Sequence, residues 1–157
     1  MASARKVELD CEASFALAAR RVVKVRAKEV FKQADGVLDL EQVERVHDMR
    51  VATRRLRATL EVFEDCFPRK RHRKSLKRVK ALADALGERR DLDVEIDLLE
   101  SLVAEVAGED REAPAGLIED LHARRRQAND DLAPFVTPKQ LKKLRRRLTK
   151  LAKAAKL

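Results

Sequence analysis

The chain has no tryptophan, no tyrosine, and only four glycines and four prolines in 157 residues. So little punctuation leaves room for long regular elements, and no run alternates with β-branched and aromatic residues as a strand does. A β architecture is excluded on that ground. No stretch of eighteen apolar residues occurs, so no segment reads as a membrane span. The opening MASARKVELDCEASFALAAR places acids before its apolar run and does not read as a secretory signal. Cys11 and Cys66 are far apart with no CxxC, which points to a reduced, cytosolic chain. GxxxxGK[ST], GxGxxG, HExxH and GxSxG are all missing, so phosphate-loop, dinucleotide, zinc-peptidase and hydrolase-elbow chemistry have no motif here. Asp91, Asp93, Glu95 and Asp97 imitate the start of a calcium loop, but Ile96 stands where glycine is needed and Leu102 where glutamate is needed. No metal and no nucleotide cofactor is implied.

What is plentiful is charge. The chain holds 36 Lys+Arg against 27 Asp+Glu. Residues 137–157 contain nine of the cations and no acid, which leaves 27 of each sign in residues 1–136. The excess therefore sits in the last helix, and the body is neutral overall. Concentrated patches of one sign raise the local concentration of counter-charged ligands and speed their capture.

The segment VERVHDMRVATRRLRATLEVFEDCFP, Val43 to Pro68, carries the clearest pattern. Val46, Met49, Ala52, Leu56, Leu60 and Phe63 form the stripe of a core-facing helix. On its other side stand His47, Arg50, Arg54 and Arg57, spaced three, four and three. Such residues are neighbours on a helix surface. At ~1.5 Å rise per residue their heads span roughly 15 Å. No acid interrupts that series before Glu61.

The remaining chain divides at its turn signals. A first helix is expected over about Ala13 to Ala34, with Phe15, Leu17, Ala18, Val22, Val25 and Val30 apolar, stopped by Asp35-Gly36. After the segment just described, ended by Pro68, a third helix runs from Arg69 to Leu86, with Leu76, Val79, Leu82, Ala83 and Leu86 inward. Gly87 is expected to break or kink it. Asp91 then caps a helix from Leu92 to Val106. Ala107 to Ala115 reads as a polar loop, followed by a helix to Leu132. Thr137-Pro138 opens the last helix, with Leu141, Leu144, Leu148, Leu151 and Ala155 on one side. The expectation is an all-α, antiparallel bundle of about five to six helices occupying residues 13–157, behind a tail of residues 1–12.

Arg73, Lys77 and Lys80 share one face of the third helix, opposite Val79 and Leu86, and make a second basic row. Two rows on neighbouring helices would flank a groove. The alternative for each is a solvated helix face, against which the lack of interspersed acids argues. Arg55 lies toward the apolar border and is expected to pair with an acid such as Glu44 or Asp91. Arg90 and Asp91 read as a structural ion pair or cap, and His72 and His122 as helix-surface or edge residues. The last helix reads as a solvated bundle helix first, a second anion-binding surface next, and a membrane-surface helix last, since it has no interfacial aromatic.

VHDMRVATRRLRATLEVF resembles the signature of the CHAD domains, the conserved histidine α-helical domain family. LGERRDLDV (Leu86 to Val94) resembles its second signature, and LHARRRQANDDL with TPKQLKKLRRRL resembles the closing helices of the family's first half. The resemblance spans about Ala13 to Lys156. It implies a helical bundle whose basic surface or pore binds inorganic polyphosphate. Matched position by position, His47, Arg50, Arg54 and Arg57 are the family's basic row, and Lys80 matches a basic position of the third helix. Longer members look like two such bundles. Here the His-Arg helix occurs once, as in a single-bundle member or the first half of something longer, and a homodimer would complete a two-bundle arrangement.

The expected function is therefore non-catalytic binding of polyphosphate, cytoplasmic and at polyphosphate granules. Arg forks would bind phosphate oxygens bidentately, Lys would supply point charges, and His47 a donor whose charge depends on pH. A nucleic-acid-binding protein using the same faces ranks second. It lacks a helix-turn-helix pattern, and its five phenylalanines all occupy apolar positions rather than a stacking platform. An enzyme acting on polyphosphate would need an acid cluster facing the basic row, and the sequence suggests none.

Overall fold

A computed structural model describes residues 3–10, 12–105 and 112–156. Among them are five α-helices and no strand: α1 (Phe15–Lys32), α2 (Val43–Val62), α3 (Arg69–Glu105), α4 (Glu112–Leu132) and α5 (Pro138–Lys153). Short 3₁₀ turns at Glu64–Cys66 and Ala133–Phe135 follow α2 and α4. The expected loop from Ala107 lies largely outside the described residues, and α4 already begins at Glu112.

Local signals fix most helix ends. The Ser14 hydroxyl accepts from the Leu17 amide at 3.2 Å, and the Thr137 hydroxyl from the Gln140 amide at 3.2 Å. Pro138 occupies the first turn of α5. Gly36 has φ 68°, the left-handed conformation that ends the α1 region and starts the turn toward α2.

α2 packs against α1 and α3, and α5 packs against the same two helices from the other side. These four enclose the main core, which includes Val23, Val46, Met49, Leu56, Leu60, Val79, Leu86, Leu148 and Leu151. Each large side chain so buried contributes ~1.5–3 kcal/mol. The α1 face differs from expectation. Ala16, Ala19, Val23, Ala27 and Val30 are its buried residues, while Phe15 and Leu17 are exposed. Small residues at spacings of three and four carry the stripe there. The Phe15 ring instead lies 4.8 Å from that of Phe63. Residues 3–10 run along α1: the Arg5 amide donates to Glu29 Oε1 at 2.7 Å, and Arg21 donates to the Glu8 carbonyl at 3.1 Å.

α3 is one continuous helix of 37 residues, not two helices broken at Gly87. Its buried positions His72, Ser75, Val79, Leu82, Leu86, Arg89, Asp93 and Ile96 alternate in spacings of three and four through Gly87 without interruption. A glycine inside a helix costs only about 1 kcal/mol, less than the burial on either side supplies. Asp91 consequently lies inside α3 and caps nothing. The far half of α3 packs on α4 through a second cluster of Leu92, Ile96, Leu121 and Ala128.

Candidate functional site

Because Val46, Met49, Ala52, Leu56 and Leu60 fill the core side of α2, the basic series is forced to the opposite arc. Arg54 is exposed; His47, Arg50 and Arg57 are half-buried. Two threonines on the core side are internally satisfied. Thr53 donates to the Met49 carbonyl at 2.7 Å and Thr59 to the Arg55 carbonyl at 2.8 Å. They cost the core no orphaned hydroxyl.

The row of α2 meets that of α3 at Glu61. Arg57 Nε donates to Glu61 Oε1 at 3.2 Å, and Lys80 Nζ reaches the same oxygen at 3.2 Å. The Arg57 hydrogen bond first, and then that of Lys80, hold the Glu61 carboxyl below its usual range. One carboxylate thus pins a cation from each helix. Arg73 and Lys77 continue the α3 row in solvent. Neither Arg50 nor Arg54 is joined to a carboxylate among the described residues. Arg55 lies on the α1 side of α2, lining a cavity with Val25, Glu29 and Asp48.

His47 has acidic company. Glu44, His47 and Asp48 each place a side-chain donor atom within 4.8 Å of the others. The sequence suggests no acid cluster beside the row, and the structure places this trio at its start. All three come from adjacent turns of one helix, with no fourth ligand from another element among the described residues. Such a set is half of a metal shell at most.

Two further expectations are corrected. His72 is no surface residue: it is buried, its Nε2 donates to the Leu60 carbonyl at 2.7 Å, and its ring stacks parallel to Phe67 with centroids 6.2 Å apart. Ser75 is buried beside it and donates to the Arg71 carbonyl at 2.9 Å. The pair expected at Arg90 and Asp91 is formed instead by Arg89 and Asp93, both buried. Arg125 of α4 approaches Asp93 Oδ1 at 3.5 Å, and Arg89 Nε donates to Asn129 Oδ1 at 3.3 Å. Asn129 Nδ2 in turn donates to the Leu38 carbonyl at 3.0 Å. The network ties α3, α4 and the turn before α2 together. Its signal in the sequence was the seam spacing, which Arg89 and Asp93 satisfy as well as a leucine would. His122 is an edge residue, 3.3 Å from Glu100.

The sequence model of the CHAD domain family matches residues 21–157. The chain belongs to the CHAD domain family. The match takes in α2 with its His-Arg row, all of α3 and α5, and most of α1. No curated protein matches the CHAD chain in a sequence comparison. Among the described residues of the CHAD domain, no helix is long and apolar enough to cross a membrane.

Proposed function

We propose that this CHAD domain binds inorganic polyphosphate, without acting on it chemically, across the face formed by α2 and α3. Arg50, Arg54 and Arg57 provide bidentate forks, His47 a further donor, and Arg73, Lys77 and Lys80 point charges from the neighbouring helix. The CHAD family's association with polyphosphate supports the ligand. The observation that carries the location is Glu61, whose single oxygen lies 3.2 Å from both Arg57 and Lys80. Two rows that the sequence gives separately are by this contact one surface. A polyanion displacing Glu61 gains both cations at once.

A second copy of the chain is the proposed partner for completing a two-bundle arrangement. Val94, Leu98 and Leu102, exposed along one line of α3, support an apolar contact there. Cytoplasmic residence at polyphosphate granules is part of the same proposal.

The test is Arg50→Ala/Arg54→Ala/Arg57→Ala. These side chains are outside the core, so helix content should hold while affinity for long-chain polyphosphate falls at least tenfold. Leu56→Ala should do the reverse, destabilising by ~2–5 kcal/mol as a buried large-to-small change. Arg variants that unfold while residual binding persists would make the row structural.

A further inference from the structure

The nine cations of residues 137–157 have no role in the α2–α3 face. α5 turns its buried side, Leu148, Leu151 and Ala152, toward the core. Lys143, Arg146, Arg147 and Lys150, at spacings of three, one and three, then line a groove of about 420 Å³ against α3. The opposite wall is Arg71, Lys74 and Ser75. The groove continues past Lys143 and Arg147, which it shares with a second hollow of about 240 Å³ lined by Arg78, Leu82 and Phe135. Arg71 and Lys150 line the first hollow and Leu82 and Gln140 the second, so the two helices run antiparallel as rails. From Arg71 to Leu82 the channel extends roughly 16 Å at ~1.5 Å per residue.

Every charged residue lining this channel is a cation. None of the seven is in a salt bridge with a carboxylate among the described residues. Like charges gathered this densely repel one another and oppose the fold unless a counter-charge answers them. The rails are also held in place. Thr137 caps the start of α5, and beyond its end the Lys156 amide donates to the Cys66 carbonyl at 2.8 Å. Lys156 Nζ reaches the Asp65 carbonyl at 3.5 Å. Arg145, one of the α5 cations that do not line the groove, lies over the Phe31 ring at 4.7 Å.

We infer that the α3–α5 groove is a second polyphosphate site, separate from the α2–α3 face. The inference rests on polyphosphate being the ligand of the first face and adds where else the chain holds it. Cations on both walls suit an anion that is charged all around its axis. A polyphosphate chain presents oxygens in every direction. A nucleic-acid strand presents phosphate on one side and bases on the other, and the groove's one aromatic, Phe135, packs against the core. The outer surface of α3 lies between the two sites, where Lys77 and Lys74 face away from the core, so one long chain can occupy both.

Calorimetric titration of the full chain with sodium tripolyphosphate, too short to span both sites, tests this. The unchanged chain should take up two equivalents. Lys74→Gln/Lys143→Gln/Arg146→Gln/Lys150→Gln, all exposed positions, should take up one, with at least tenfold weaker binding of long polyphosphate. By analogy with nucleic acids, losing four contacts should reduce the log–log salt slope for long polyphosphate by about 3–4. Arg50→Ala/Arg54→Ala/Arg57→Ala should also retain one equivalent. In the unchanged chain, tripolyphosphate should shield Lys74, Lys143 and Lys150 from amine acylation, a readout needing no variant. Wild-type stoichiometry in the groove variant, or unshielded groove lysines, overturns the second site. Loss of all binding in the α2 variant overturns it too. One equivalent in both the unchanged chain and the α2 variant, lost in the groove variant, would instead overturn the first face and leave the groove standing.

Discussion

In the proposed binding mode, Glu61 competes with the polyanion. Its carboxylate occupies Arg57 and Lys80, and their hydrogen bonds keep it ionised below the usual carboxylate range. A polyanion that takes those cations leaves Glu61 beside negative charge, so its pKa is higher in the complex than in the free protein and binding takes up a proton. Affinity should rise as pH falls through the complex's value toward the free one, and level off below both. Because Arg57 and Lys80 hold the free carboxyl below its usual range, this gain belongs to the acid side of neutrality. Glu61→Gln should bind polyphosphate more tightly at pH 7, by roughly 0.5–1.5 kcal/mol of a released hydrogen-bonded charge, and should lose the Glu61 part of the acid-range gain. Titrations of both proteins between pH 7 and 4 check it; weaker binding by the variant would make Glu61 an organiser of the site. Asp93 works in the opposite setting. Buried against Arg89, it cannot be removed without stranding a charge. Asp93→Ala should cost ~3–5 kcal/mol in denaturant unfolding, with little effect on affinity for whatever remains folded.

At the scale of elements, α3 decides the architecture. Its near half closes the four-helix core and its far half carries α4. The helix was legible up to Leu86 and again from Leu92, but its continuity was not. Gly87 looks like a stop when residues are weighed singly, and Arg89 and Asp93 hide two core positions behind charge. The spacing from His72 to Ile96 carries the answer, because a seam that keeps time through a glycine needs no break. Gly87→Ala follows directly. An added methyl meets no atom within 4 Å, so the change should stabilise by about 0.5–1 kcal/mol, read as a raised denaturation midpoint. Destabilisation would indicate a functional bend. α2 was the most legible element, since its apolar stripe and basic row keep one period and Glu61 ends the row. α1 was the least, because alanines carry its buried face while Phe15 and Leu17 draw the eye outward. His72 misled for a related reason: its basic neighbours at Arg71 and Arg73 look like surface, although it opens the buried seam and bonds the Leu60 carbonyl. Burial also pushes the Cys66 thiol up from its ordinary value, consistent with a packing role for that cysteine.

Across the whole molecule, acids and cations are sorted. The far part of α3 carries Asp91, Glu95 and Asp97 in solvent, whereas its near part, α2 and α5 present cations to two sides. The sorting of charge by sequence segment was visible in the composition, and the meeting of the rows at Glu61 was not, because it depends on which face of α3 turns toward α2. A fold that concentrates like charge on adjacent helices should bind a linear polyanion chiefly through counterion release. The most direct measurement is therefore competition between long-chain polyphosphate and duplex or single-stranded DNA for the unmodified chain, repeated from 50 to 200 mM salt. Polyphosphate is expected to displace both nucleic acids, with an affinity that falls on the order of a hundredfold or more over that range for roughly five or more phosphate contacts. A salt-insensitive titration, or tighter binding to DNA than to polyphosphate, would contradict it.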